Sequence, residues 1–353
     1  VDFDLRVGGN DAITGLDLSV SDTNNVNIVD AGDVEAVDTV TVSGTGALTL
    51  EDSDTAGAVN FDSLEQIAAG SFDGDFTSDI SGQTDDVGLD VVLGGGDNAL
   101  AVDHSQLAAG RADVTFDLGQ GDNTLAVTGV ASDTEIDALD FAAGEVSGVG
   151  NLTLDNGGAN ITVAGGGGTL DLSGIAPSEI VFAEGDTVNV NNDLTFANEQ
   201  SDLTVTFEDT LDSNGAADGL AFSNNVTDLT LNTEGATGGT QAIDVGGDRI
   251  TTLDLKAGAD DVAFNDITTN TDTAQDETDS LTVNTDGEGD IATTSGDLQV
   301  DANLNRIDFT NDGSGDRLFS LSGAGNLKSD AAATQAAGEG VTLSGAGTGT
   351  IEI

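Results

Sequence analysis

Leucine, valine, isoleucine and phenylalanine alternate with threonine, aspartate and asparagine along almost the whole of this chain. Four-residue phrases carry the pattern most clearly: ALTL at 47–50, NLTL at 151–154, TLDL at 169–172, DLTF at 193–196, DLTV at 202–205, DLTL at 228–231, TLDL at 252–255, SLTV at 280–283 and DLQV at 297–300. An apolar residue at every second position, with polar residues between, predicts a half-buried β-strand. Clusters of Gly, Asn, Asp and Ser separate the phrases, and these are turn formers. Proline occurs once, at Pro177, so little interrupts the ladders.

The spacing of the phrases sets the architecture. From NLTL onward their leading leucines are Leu152, Leu170, Leu194, Leu203, Leu229, Leu253, Leu281 and Leu298. An irregular repeat of this kind suggests one β-coil per unit. One such unit offers an apolar face too small to be stable alone, and stacking joins the faces into a continuous core. The expected fold is therefore all-β: an elongated, parallel β-helix-like β-solenoid with irregular rungs of about 17–28 residues. Tandem β-sandwich domains are the alternative. The scattered phenylalanines, Phe182, Phe196, Phe207, Phe222, Phe264, Phe309 and Phe319 among them, read as inward rung fillers.

The first part of the chain is less uniform. FDSLEQIAAG at 61–70, HSQLAAG at 104–110 and TEIDALDFAAG at 134–144 read as short helical turns, with Asp62 or Ser63 and Thr134 as N-caps and a closing glycine, or as strands with Ala-Ala-Gly corners. A boundary near SGVGN divides a β-rich region, 1–147, from a solenoid-like region, 148–353.

Composition narrows the function. The chain has 353 residues with 65 Asp and Glu against 7 Lys and Arg, a formal charge of −58. Such a polymer repels nucleic acid and anionic membranes and draws cations. High salt or a divalent metal must screen its self-repulsion before it packs. There is no Cys and hence no disulfide framework. No apolar run approaches the length of a membrane helix, and Trp and Tyr are absent, so an outer-membrane barrel would lack its aromatic belt. There is no Met even at position 1, which predicts a processed chain or a segment of a longer one. His104 is the single histidine. With no Cys beside it, zinc sites of the usual kind and nucleophilic triads are nearly excluded. Paired carboxylates for glycoside hydrolysis lack the aromatic or basic platforms that sugars need. The expectation is a protein that is not an enzyme.

One turn is written almost twice. LGGGDNALAV spans Leu93 to Val102, and LGQGDNTLAV follows at Leu118 to Val127, about one repeat further along. Glycine frees the backbone to aim carbonyls at an ion, Asp97 and Asp122 supply charged oxygens, Asn98 and Asn123 neutral ones, and Leu100 and Leu125 anchor the turns. Ca²⁺ takes 6–8 oxygens, more than one turn holds. Two turns on neighbouring rungs together come closer.

GxGDNxL resembles the RTX nonapeptide turn, and the resemblance places Asn98 and Asn123 at the ligand position with Asp97 and Asp122 one residue early. KAGADDVAF at 256–264, with Asp260 and Asp261, is a looser relative. An unbroken nine-residue repeat is absent. The Thr, Asp, Gly, Asn and Ala richness, with phrases such as VTDLTLNT (226–233) and DSLTVNTDG (279–287), resembles surface-layer and giant secreted surface proteins of Gram-negative bacteria. That resemblance implies an extracellular protein that assembles with itself into a lattice or filament, with calcium as the clamp; a cell-surface glycan is a further candidate partner. A stalk segment of a large adhesin and a halophile's acidic soluble domain are the competing expectations.

Further acid clusters lie at SFDGDFTSD (71–79, with Asp73 and Asp75), QTDDVGLD (83–90, with Asp85 and Asp86) and TDGEGD (285–290). Each reads either as a cation site or as the solvated face of an acidic protein. None fits the twelve-residue EF-hand. The cations Arg6, Arg111, Arg249, Lys256, Arg306, Arg317 and Lys328 are few enough that each is expected to have an acidic neighbour. Three glycosylation sequons, at Asn151, Asn160 and Asn225, are common by chance in so Thr- and Asn-rich a chain.

Overall fold

The computed structural model is a β-solenoid of stacked parallel sheets. It describes residues 2–6, 13–29, 37–52, 63–83, 88–108, 114–131, 135, 139, 141, 146–156, 168–183, 192–196, 200–208, 219–222, 226–233, 244–247, 250–257, 262–264, 267–269, 280–287, 291–293, 298–300, 306–311, 318–321, 327–329, 340–345 and 350–352. Beyond residue 257 only strand backbones are described. The chain forms two compact units: 1–130 with 138–154 and 171–177, and 131–137 with 155–170 and 178–353.

In the first unit the strands are β1 (Asp2–Arg6), β2 (Gly15–Val20), β3 (Asn24–Val29), β4 (Thr39–Gly44), β5 (Leu48–Asp52), β6 (Gln66–Ala68), β7 (Phe76–Asp79), β8 (Asp90–Val92), β9 (Ala99–Asp103), β10 (Thr115–Asp117), β11 (Thr124–Thr128), β12 (Val146–Ser147) and β13 (Asn151–Leu154). Odd-numbered strands pair in sequence order from β1 to β13, and even-numbered strands likewise from β2 to β12. Each rung thus gives one strand to each of two sheets, and neighbours in a sheet are parallel. The alternation read from the sequence follows. Inward positions of β9 and β11, Leu100, Val102, Leu125 and Val127, are buried, while Ala99, Ala101, Thr124 and Ala126 are half-buried on the outer face. Burying each such Leu or Val side chain stabilises the stack by about 1.5–3 kcal/mol. Purely parallel sheets are usually covered on both faces. A solenoid covers one face with its own opposite wall, which is why these strands alternate instead of running continuously apolar.

The second unit contains β14 (Gly168–Asp171), β15 (Glu179–Phe182), β16 (Asn192–Thr195), β17 (Leu203–Phe207), β18 (Gly219–Phe222), β19 (Asp228–Thr233), β20 (Asp244–Gly247), β21 (Thr252–Ala257), β22 (Val262–Phe264), β23 (Ile267–Thr269), β24 (Ser280–Gly287), β25 (Ile291–Thr293), β26 (Leu298–Val300), β27 (Arg306–Asn311), β28 (Leu318–Leu321), β29 (Leu327–Ser329), β30 (Gly340–Gly345) and β31 (Thr350–Glu352). One ladder runs β15-β17-β19-β21-β24-β27-β30, a second β14-β16-β18-β20-β23-β26-β29 and a third β22-β25-β28-β31. Among the described residues a third strand per rung begins with β22, and the step along the chain varies: Leu229 pairs with Leu253, Leu253 with Val283 and Val283 with Phe309. Phe182 and Phe207 stack in the core with ring centroids 5.1 Å apart and planes 4° from parallel. Phe196 and Phe222 are buried too, as inward fillers should be, whereas the side chains of Phe264, Phe309 and Phe319 lie outside the described residues.

The nine phrases all overlap strands. The steps from leucine to leucine are less faithful. Leu203, Leu229 and Leu253 do stack in register, but Leu152 and Leu170 belong to different ladders, as do Leu281 and Leu298. Parallel stacked strands also run through the N-terminal region. Of the three helical candidates, 61–70 contains strand β6, and His104–Leu107 is a 3-10 turn capped by Asp103, whose carboxylate accepts the Ser105 N–H at 2.9 Å. Most of 134–144, with Thr134, lies outside the described residues, as does Asp62.

Candidate functional site

The two near-identical turns occupy consecutive rungs of one corner. β9 and β11 pair with Leu100 opposite Leu125 and Val102 opposite Val127. The corner is larger than the two turns. SFDGDF at 71–76 stacks beneath LGGGDN, VSGTGAL at 42–48 lies a rung further down, and VSGVGN at 146–151 lies above LGQGDN. Backbone bonds tie the turns together: Asp73 N–H donates to Gly44 O at 2.9 Å, Gly95 N–H to Phe72 O at 3.0 Å and Gln120 N–H to Gly94 O at 3.1 Å.

The glycines serve this stacking. Gly121 has φ +128°, and a Cβ on it would sit 2.0 Å from Gly96 O. Gly96 has φ +96°, and a Cβ there would meet Gly74 C and O at 2.6 Å. A side chain at either position collides with the backbone of the preceding rung, so close approach of rungs demands glycine.

Asn98 and Asn123 face inward and are fully buried. The Phe76 N–H donates to Asn98 Oδ1 at 3.0 Å, and the Asn98 N–H donates to Asn123 Oδ1 at 2.8 Å. The amide nitrogens donate in the other direction, Asn98 Nδ2 to Leu118 O at 2.9 Å and Asn123 Nδ2 to Gly148 O at 2.8 Å. The pair is an asparagine ladder that satisfies buried turn groups, which is costly to leave undone. Their oxygens point into the core and already accept N–H groups, away from the solvent side where an ion would approach.

The aspartates lie on the opposite side of the same backbone. Asp73, Asp75, Asp97 and Asp122 are all exposed. Asp75 Oδ1 accepts the Asp97 N–H at 2.9 Å, Asp97 Oδ1 accepts the Asp122 N–H at 2.9 Å, and Asp122 Oδ1 accepts from Asn151 Nδ2 at 3.3 Å. The result is a file of three carboxylates, one per rung, with rungs about 4.8 Å apart. The dipeptide Asp97-Asn98 is a two-way clasp. Its Asp accepts from the following rung and its Asn from the preceding one. Asp122-Asn123 repeats the device.

The other expected ligands are placed differently or not at all. Asp85, Asp86, Asp260 and Asp261 lie outside the described residues. Asp90, in the 83–90 cluster, accepts from Gln66 Nε2 at 3.2 Å. Among the described residues, no three His, Asp or Glu side chains converge as a metal cage would require. His104 Nδ1 lies 3.6 Å from Asp103 Oδ1. In β21, Lys256 stands in register opposite Asp286 of β24.

Two buried residues were not singled out in the sequence. Gln83 Nε2 donates to Leu64 O at 2.9 Å, and Gln106 Nε2 donates to Gln83 O, a second inner polar ladder at another corner. The asparagine ladder did leave a signal: Asn98 is in phase with the inward Leu100 and Val102, and Asn123 with Leu125 and Val127.

No family model, curated protein or solved structure matches this chain.

Proposed function

We propose that this chain is a secreted structural protein that assembles with copies of itself into a surface layer or extracellular filament, with calcium bridging its acidic corner. The observation that carries this reading is the exposed file Asp75–Asp97–Asp122. Each carboxylate accepts an N–H of the neighbouring rung through Oδ1, and each of the three residues is exposed. Two adjacent members offer a hard cation two oxygens, with water or a neighbouring copy completing the 6–8 it takes. Such an ion relieves repulsion along the file and stabilises the folded stack over the unfolded chain by mass action. The donor set suits Ca²⁺ bound weakly, in the range of extracellular modules, about 10⁻⁴–10⁻³ M.

The remaining support is chemical. A chain of charge −58 with one histidine and no cysteine is poorly equipped for nucleophilic catalysis and well equipped to bind cations. Secretion and self-assembly rest on the compositional resemblance to surface-layer and RTX-like proteins. Electron microscopy and circular dichroism of the purified chain test the reading, in chelator, in a few millimolar Ca²⁺ and in monovalent salt of matched ionic strength. Filaments or sheets with Ca²⁺ alone support it. A folded monomer restored by NaCl, with nothing added by Ca²⁺, assigns the acidity to life in brine instead.

A further inference from the structure

We draw no further inference here: the strongest candidate, the apolar groove of about 230 Å³ on the outer face of β5, β7, β9 and β11 lined by Thr49, Thr77, Ala99, Ala101, Thr124 and Ala126, carries nothing because nothing in the structure shows what covers it.

Discussion

The backbone N–H of Asn98 donates to the side-chain oxygen of Asn123 across one rung of the solenoid, at 2.8 Å and out of reach of water. One residue earlier, Asp97 makes the complementary bond on the outside, accepting the Asp122 N–H at 2.9 Å. Neighbouring rungs are therefore held from both sides of one turn, by an uncharged amide within and a carboxylate without.

Asn123→Ala removes the acceptor of a buried N–H and the donor to Gly148 O. The buried Asn98 N–H left unpaired costs about 1–3 kcal/mol and the solvent-reachable Gly148 O little, so the variant should lose about 1–3 kcal/mol in denaturant unfolding. Asp122→Asn, one position away, keeps the exposed shape and the oxygen, and its unfolding midpoint should stay close to that of the parent. Equal effects at the two positions would contradict the inside–outside division.

The stacked glycines should tolerate substitution very unequally. Gly121→Ala places a methyl group against Gly96 O at a backbone angle that L-residues rarely adopt, and should destabilise the chain by several kcal/mol, on the order of 3 or more. At Gly95 the nearest atoms to an added Cβ are 3.8 Å away, in ordinary contact. Gly95→Ala should unfold within about 0.5 kcal/mol of the parent.

In the second unit, Phe207→Ala should cost about 3–5 kcal/mol by opening a cavity in the core. A double-mutant cycle with Phe182→Ala should give a coupling of about 0.5–1.5 kcal/mol from the stacked rings. Additive losses would mean that the two rings fill space independently.

Replacing Asp75, Asp97 and Asp122 together by Asn keeps the acceptor oxygens and removes three charges. In chelator at low ionic strength the triple variant should melt at or above the parent's temperature, because repulsion along the file is gone. Its gain in melting temperature on adding Ca²⁺ should shrink. For the parent, saturation to a hundred times Kd corresponds to about 2.7 kcal/mol. An undiminished gain in the variant would place the relevant ions elsewhere.

Much of the fold was readable from one property, the alternation of Leu and Val with Thr and Asp, since a solenoid wall is dry on one side and wet on the other. Register was readable where a turn was nearly copied, as in Leu100 and Leu125, and along the phrases led by Leu203, Leu229 and Leu253. Leu281 shows the limit. It leads the next phrase after Leu253, but Leu253 pairs with Val283, two residues further along. The corner was half readable. Gly, Asp and Asn marked it, but residue type and the resemblance to an RTX turn assigned Asn98 and Asn123 to an ion. Their phase with the following leucines assigns them to the core. Gln83 and Gln106 gave less warning, because a polar residue in a turn region is ordinarily solvated, and only the packing of rungs encloses these two.

The most direct measurement is negative-stain electron microscopy of the parent and of the D75N/D97N/D122N variant, each in chelator, in a few millimolar Ca²⁺ and in NaCl of matched ionic strength. Calcium-clamped assembly predicts ordered filaments or sheets for the parent in Ca²⁺ only, with sparse or absent assemblies for the variant. Particles that stay monomeric in Ca²⁺, or that assemble equally in matched NaCl, would contradict it.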